Sequence, residues 1–155
     1  MQVDIWIDPM KTAIFDIDGT IANIEHRRKY LETTPPDWKK FNGQMGDDTP
    51  NIPIVSLYKA LWENKSFNLL LVTGRNEKYR NITEQWLAWN EIPFSSLLMR
   101  PDNDYRADHV IKEEILHTIL KDGHDIEFAV DDRQQVVDMW RRNGITCLQC
   151  DVGNF

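Results

Sequence analysis

Ile14-Phe15-Asp16-Ile17-Asp18-Gly19-Thr20 runs an apolar segment directly into two carboxylates set one residue apart. Side chains at i and i+2 of a strand point to the same face, so Asp16 and Asp18 converge if the extended chain continues through Ile17. Two carboxylates held together repel, and a shared proton or a cation must offset that repulsion. A bare D-x-D is usually a surface turn. The apolar run before this pair and Gly19-Thr20 after it point instead to the carboxyl end of a buried strand.

The same arrangement recurs twice along the chain. Leu69-Leu70-Leu71-Val72 ends in Thr73-Gly74-Arg75, which offers a hydroxyl, a flexible turn and a guanidinium where a phosphate can be received. Ile126-Glu127-Phe128-Ala129-Val130 ends in Asp131-Asp132-Arg133. Singly these signals are weak, because T-G is a common turn and Asp a common helix N-cap. Three strands ending in carboxylate, hydroxyl and carboxylate form a joint signal that chance seldom supplies.

The remaining pattern supports that reading. Strands are expected at Thr12–Asp16, Phe67–Thr73, Ser95–Met99, Ile126–Asp131 and Ile145–Gln149, with helices at Ile54–Asn64, Glu77–Asn90, Asp108–Leu120 and Asp132–Arg142. Asn51 or Ser56 is expected near the start of the first of these helices. Alternating strands and helices predict an α/β fold, a Rossmann-like doubly wound parallel sheet. Val3–Ile7 alternates like a short strand and is expected to form an edge hairpin with Thr12–Phe15. Glu32–Pro53 breaks the rhythm with Pro35-Pro36, Asn42-Gly43, Gly46, Pro50 and Pro53, which favours loops and at most one short helix near Pro36–Phe41. An open α/β sheet places a lid over its carboxyl edge at this point in the chain. We therefore expect a single domain over residues 1–155, with residues 20–53 as a small cap.

Composition narrows the function classes. The chain has 155 residues, 18 Lys+Arg against 25 Asp+Glu and a formal net charge of −7, which argues against a long basic groove for nucleic acid. A 41% hydrophobic fraction with six Trp and six Phe is enough for one core. No apolar run approaches membrane-spanning length, and Met1-Gln2-Val3-Asp4 lacks the basic start of a secretory signal, so the cytoplasm is the expected compartment. Cys147 and Cys150 form one C-x-x-C on a segment that reads as a strand, where two ordinary thiols are expected rather than a zinc site or a redox pair.

Asp16-Ile17-Asp18-Gly19-Thr20, Thr73-Gly74-Arg75, Lys112 and Asp131-Asp132 resemble, in order, the four motifs of the haloacid dehalogenase-like phosphohydrolases. Within that superfamily the chain is similar to the 3′-phosphatase domain of bacteriophage polynucleotide kinase-phosphatase. The similarity is carried by Asp131 to Arg142, by Val110-Ile111-Lys112-Glu113-Glu114-Ile115 and by the ending Gly153-Asn154-Phe155. The resemblance implies Asp16 as nucleophile and Asp18 as general acid/base. It implies Mg²⁺ held by Asp16, Asp132 with Asp131 beside it, and the backbone carbonyl of Asp18. Thr73 matches the phosphate-binding hydroxyl within its Thr73-Gly74-Arg75 turn, and Lys112 the base that neutralises the phosphoryl-aspartate. Arg27, Arg75 and Asp108 match positions that matter for activity.

The chemistry requires such a set. A carboxylate attacking a phosphate monoester brings anion to anion, and two unit charges 4 Å apart repel by about 4 kcal/mol at an effective dielectric near 20. A cation, a lysine and a hydroxyl donor would cancel that repulsion. Each residue also has an ordinary reading. Lys112 alone is a solvated helical lysine, Asp108 is a good N-cap, and Arg27-Arg28-Lys29 is a solvated charge run. His26 and His109 are assigned no role. Trp38 and Phe41 can stack on a nucleobase, although aromatics in an insert more often anchor it.

The expected function is a Mg²⁺-dependent phosphomonoesterase that removes 3′-phosphates from nucleic-acid ends. The alternatives are a nucleotidase acting on mononucleotides and a catalytically silent module that binds phosphorylated ends. No G-x-x-x-x-G-K-[ST] occurs, so no 5′-kinase half is expected in this chain, and the insert is longer than in the phage enzyme. Arg27, Arg28, Lys29, Arg75, Lys78 and Arg80 are expected to form a local basic rim.

Overall fold

The computed structural model describes residues 10–153. The expected N-terminal hairpin strand Val3–Ile7 and the final Asn154-Phe155 lie outside the described residues.

Five parallel strands form the main sheet: β1 (Lys11–Phe15), β4 (Phe67–Asn76), β5 (Ser96–Arg100), β6 (Ile126–Arg133) and β7 (Cys147–Gly153). Their order is β5-β4-β1-β6-β7, with the first strand in the centre and the later ones added outward on both sides. The doubly wound expectation is met. A reversal of strand order beside β1 opens a crevice at the carboxyl ends, the usual ligand position in such sheets.

Alternation along the strands feeds two cores. Ala13, Phe15, Leu69, Leu71 and Leu97 face the layer of α3 (Ile52–Asn64) and α4 (Arg80–Trp89), which contributes Val55, Tyr58, Trp86 and Leu87. Ile14, Leu70, Val72 and Ala129 face α5 (Asp108–Lys121) and α6 (Gln134–Arg142), which contribute Leu116, Ile119, Val136, Val137 and Trp140. The strands are covered on both faces, which explains why they read as continuous apolar runs.

The register positions the motifs. Phe15 pairs with Leu71 on one side and Val130 on the other. The next residue, Asp16, therefore comes level with Asp131 and close to Thr73, and its N–H donates to the Val130 carbonyl at 3.0 Å. Strand β6 continues through Asp131-Asp132-Arg133, so α6 starts at Gln134 rather than at Asp132. Strand β7 likewise lies further along than expected, and its two cysteines are free thiols. The α4 segment opens with a 3-10 turn, Glu77–Tyr79, before the helix proper.

The insert is more ordered than its breakers suggest. A two-residue antiparallel ribbon, β2 (Ala22–Asn23) with β3 (Thr49–Pro50), closes its neck. Between them lie α1 (Glu25–Arg28), α2 (Trp38–Gly43) and 3-10 turns at Lys29–Leu31 and Met45–Asp47. Asp37 caps α2 by accepting the Lys40 N–H at 3.1 Å. Helix α3 starts at Ile52 with Pro53 in its first turn. Asn51 supplies no side-chain cap to that helix; its amide donates to the Thr20 carbonyl at 2.9 Å and ties the helix to the first motif. Among the described residues no helix is long and apolar enough to cross a membrane.

Candidate active site

A cavity of about 720 Å³ opens at the carboxyl edge of the sheet. Asp16, Asp18, Gly74, Arg75, Asp108, Asp131 and Asp132 line it from the core, and Trp38, Lys39, Phe41 and Asn42 line it from the insert. Cavities of this size suit a small organic ligand rather than a lone phosphate.

Two buried charge clusters form its floor. In the first, Lys112 Nζ donates to Asp16 Oδ1 at 2.7 Å and to Asp131 Oδ2 at 3.0 Å. Asp131 is held further by Trp140 Nε1 at 3.3 Å and by the Asp132 N–H at 2.9 Å. Thr20 donates to Asp16 Oδ2 at 3.1 Å and lies 3.4 Å from Asp132 Oδ1. Oxygens of Asp16, Asp131 and Asp132 lie within 4.8 Å of one another. Burial, then Asp131, pushes the Asp16 carboxyl well above the ordinary carboxylate range, against the pull of Lys112. The same two causes raise Asp132 to about 7. Lys112 stays protonated: burial opposes its charge, but Asp108, Asp131 and Asp16 outweigh burial.

Lys112 reaches two of these three carboxylates, and once all three are ionised the group of four carries two negative charges in excess, which a divalent cation can match. Hard carboxylate oxygens are the donor set that Mg²⁺ takes. The backbone is shaped to admit the Asp132 carboxylate. A Cβ on Gly19, whose φ is +83°, would stand 2.1 Å from Asp132 Oδ2, and one on Gly153 would stand 2.6 Å from it.

The second cluster is neutral. Asp18 accepts Arg75 Nη2 and Arg27 Nη2, each at 2.6 Å, and Arg75 Nε at 3.1 Å. Burial alone would raise the Asp18 carboxyl, but Arg75 and then Arg27 hold it far below the ordinary range. Behind the arginines lies Asp48, which accepts Arg27 Nε and Nη2 and also Arg75 Nη2 at 3.2 Å. Two arginines and two aspartates therefore balance. The Asp18 carboxylate belongs to this cluster and not to the Asp16, Asp131, Asp132 group.

Several residues stand where their motifs do not predict. Arg27 is fully buried, unlike its charge-run neighbours Arg28 and Lys29. Every guanidinium nitrogen of Arg27 and Arg75 already donates to protein oxygens, the third partners being the Phe41 carbonyl and Thr83 Oγ1. Their donors face Asp18 rather than a phosphate. Thr73 is buried below the cavity, where its Oγ1 accepts the Arg75 N–H at 3.2 Å. Asp108 is not the α5 cap, which is Ala107. It sits one residue inside the helix, 3.7 Å from each of Lys112, Arg100 and Arg133, pressed against Gly74, where a Cβ would lie 2.3 Å from its Oδ1. The expected basic rim is redistributed too. Arg80 pairs with Glu77 and Glu84; of the expected rim Arg75 and Lys78 line the cavity, joined there by Lys39, Arg100, Arg106 and Arg133.

Asp48 was invisible to sequence reasoning. Asp47-Asp48 sits among insert breakers and looks like any polar turn; the only cue is that Trp86, on α4, needs a partner for its indole N–H, which donates to the Asp48 carbonyl at 2.7 Å.

Residues 10–155 match the sequence profile of the polynucleotide kinase PNKP phosphatase domain. The chain belongs to that family. It is a phosphatase domain of haloacid dehalogenase type. A chain of the Pnkp1/Rnl/Hen1 complex is 36% identical with a TM-score of 0.78, over 94% of this chain and 47% of that one. A chain of the Pnkp1/Rnl/Hen1 RNA repair complex is 32% identical with a TM-score of 0.80, over 100% of this chain and 48% of that one. The chain thus spans about half the length of these relatives. A haloacid dehalogenase-like hydrolase from Streptococcus pneumoniae, at 17% identity and a TM-score of 0.60 over 90% of this chain and 84% of its own, shares the fold.

Proposed function

We propose that this domain is a Mg²⁺-dependent phosphomonoesterase that removes 3′-phosphates from nucleic-acid ends through a phosphoryl-aspartate on Asp16. The observation that carries the reading is the Asp16 carboxylate on the cavity floor, oriented by Lys112 at 2.7 Å and Thr20 at 3.1 Å, with the Asp18 carboxylate in its own arginine-held cluster beside it. Relatives in an RNA repair complex support the choice of substrate class.

Asp16, Asp132 and Asp131 would hold Mg²⁺, which supplies charge neutralisation for a dianionic phosphate. Asp16 Oδ attacks phosphorus and displaces the nucleoside 3′-oxygen. Lys112, held by Asp16 and Asp131, would offset the charge that builds on the phosphoryl oxygens. The Thr73-Gly74 turn supplies further donors to the same oxygens. Asp18 passes a proton to the leaving oxygen and then takes one from the water that cleaves the phosphoryl-aspartate. Arg27 and Arg75 act through Asp18, fixing its carboxylate, and Asp48 fixes them. Residues 20–53 serve as the cap.

The test is phosphate release from a 3′-phosphorylated oligonucleotide, a 3′-mononucleotide and a 5′-mononucleotide with Mg²⁺ present. Preference for the oligonucleotide is expected. Preference for the 5′-mononucleotide overturns the end-repair reading, and turnover that survives in Asp16→Asn overturns the nucleophile.

A further inference from the structure

We propose that Trp38 and Tyr105 form a stacking subsite for the nucleobase of the 3′-terminal nucleotide. The inference rests on the function proposed above and assigns the residues that distinguish a nucleic-acid end from a bare phosphate.

Both rings line the cavity that contains Asp16, yet they come from different parts of the chain: Trp38 from α2 of the insert, Tyr105 from the loop between β5 and α5. Trp38 is 51% exposed and Tyr105 88% exposed. Large aromatic side chains left in water forgo the burial that usually stabilises them, and a ligand that covers them recovers it.

Neither ring is on a loose support. Trp38 meets Phe41 in a T-shaped contact, with centroids 5.7 Å apart and planes at 90°, so its ring is braced while about half of the residue stays exposed. Phe41 itself is unavailable to a base, because it is buried and the Arg27 guanidinium lies 4.2 Å from its centroid. On the other side, Arg100 Nη1 donates to the carbonyls of Asp104 at 3.0 Å and Arg106 at 2.6 Å, the two neighbours of Tyr105. Arg106 also folds back on Asp104, with Nη2 to Oδ2 at 2.7 Å. Arg100 Nε donates to the Gly74 carbonyl at 2.8 Å, which joins this loop to the second motif. The backbone on both sides of Tyr105 is therefore pinned to the active site, and the ring is displayed from it.

A nucleobase is the occupant that fits. Every base has an apolar face for an aromatic ring, and stacking tolerates any sequence. Lys39 and Lys78 line the same cavity and are placed to meet the phosphodiester of the next nucleotide. The net charge of −7 excludes recognition by a long electrostatic track, so discrimination has to come from a few local contacts.

The experiment compares kcat/KM, at saturating Mg²⁺, for two 3′-phosphorylated hexadeoxynucleotides. One carries a base on its 3′-terminal nucleotide and the other a tetrahydrofuran abasic unit there. The unsubstituted domain is expected to prefer the base-bearing substrate by about tenfold, the order of one base–aromatic stack. The double variant Trp38→Ala with Tyr105→Ala is expected to bring that ratio to within threefold of unity. Trp89→Ala, an exposed ring outside the cavity, should keep the ratio. Because the readout is a ratio within one protein preparation, partial misfolding of a variant does not move it. A ratio within threefold of unity in the unsubstituted domain, or a preference kept by the double variant, overturns the subsite while leaving 3′-phosphatase activity in place. Failure to turn over either oligonucleotide, with a 5′-mononucleotide hydrolysed, overturns the underlying function as well.

Discussion

Asp48 meets Arg27 at two points, Nε to Oδ1 and Nη2 to Oδ2, each at 2.7 Å and both side chains fully buried. Asp48 belongs to the insert, and the Arg27 it holds reaches Asp18 at 2.6 Å. His26 Nε2 also lies 2.7 Å from Asp48 Oδ1. The insert therefore does more than line the cavity: its Asp48 carboxylate holds the arginine that reaches the proposed acid/base.

Asp48→Asn removes one charge from a balanced set of four and leaves two arginines facing one carboxylate. Breaking a buried pair in this way costs about 3 kcal/mol of stability, and kcat should fall by roughly 10-fold or more. A positioning role predicts a selective loss. The fall should be larger with an alkyl phosphate, whose leaving oxygen needs a proton, than with p-nitrophenyl phosphate, whose leaving group needs little help. Equal losses on the two substrates would reduce Asp48 to a structural residue.

Asp16→Asn should lower turnover by roughly 10³-fold or more, because the amide cannot form the phosphoryl intermediate. The same change should raise the Tm of the metal-free protein, since it removes one of three buried carboxylates whose oxygens lie within 4.8 Å of one another. A variant both inactive and less stable would contradict the repulsion inferred for the cluster.

Metal and pH should act together. Burial and then Asp131 raise Asp132 from an ordinary 3.8 to about 7, and Asp16 is raised for the same two causes. The folded metal-free chain then binds protons at these two groups that the unfolded chain releases, so the stability they contribute is full below pH 3.8 and is lost as pH rises through about 7. Mg²⁺ binds the deprotonated carboxylates, and its Tm gain, of order several degrees, should be greater at pH 8 than at pH 5. Thermal melts with Mg²⁺ and with EDTA check this. An equal gain at the two pH values would refute it.

The arginine pair sets the pH profile of kcat/KM. Arg75 and Arg27 outweigh burial and keep Asp18 ionised in the free protein, so the proton for the leaving oxygen must arrive with the substrate as its monoanion. At saturating Mg²⁺, kcat/KM should decline above about pH 6, the second pKa of a phosphate monoester. A profile flat to pH 8 would show that Asp18 obtains its proton elsewhere.

The strands and motifs were legible because they rest on local signals. An apolar run ending in Asp16, Thr73 or Asp131 names both a buried strand and its polar end, and parallel register brings those ends to one edge. The arginines were legible as residues but not as contacts. Arg27 sits in an ordinary charge run beside Arg28 and Lys29, and only packing under Phe41 and against Asp48 removes it from solvent. Asp108 has the composition of an N-cap, yet its backbone lies inside the helix and its carboxylate turns toward three cations. Tyr105 carries no pattern at all; its display depends on carbonyls that Arg100 pins from the end of β5.

The sequence by itself determined the order of strands and helices, the family and the inventory of carboxylates at the sheet edge, because periodicity and strand ends are local properties of the chain. Only the tertiary structure decided how those charges are divided. A side chain's partners are set by what packs around it, and distant segments meet here: the insert brings Asp48 to Arg27, while α5 brings Lys112 to Asp16. That division separates a carboxylate cluster short of two positive charges, suited to a divalent cation, from a neutral arginine-aspartate cluster that holds Asp18 in place.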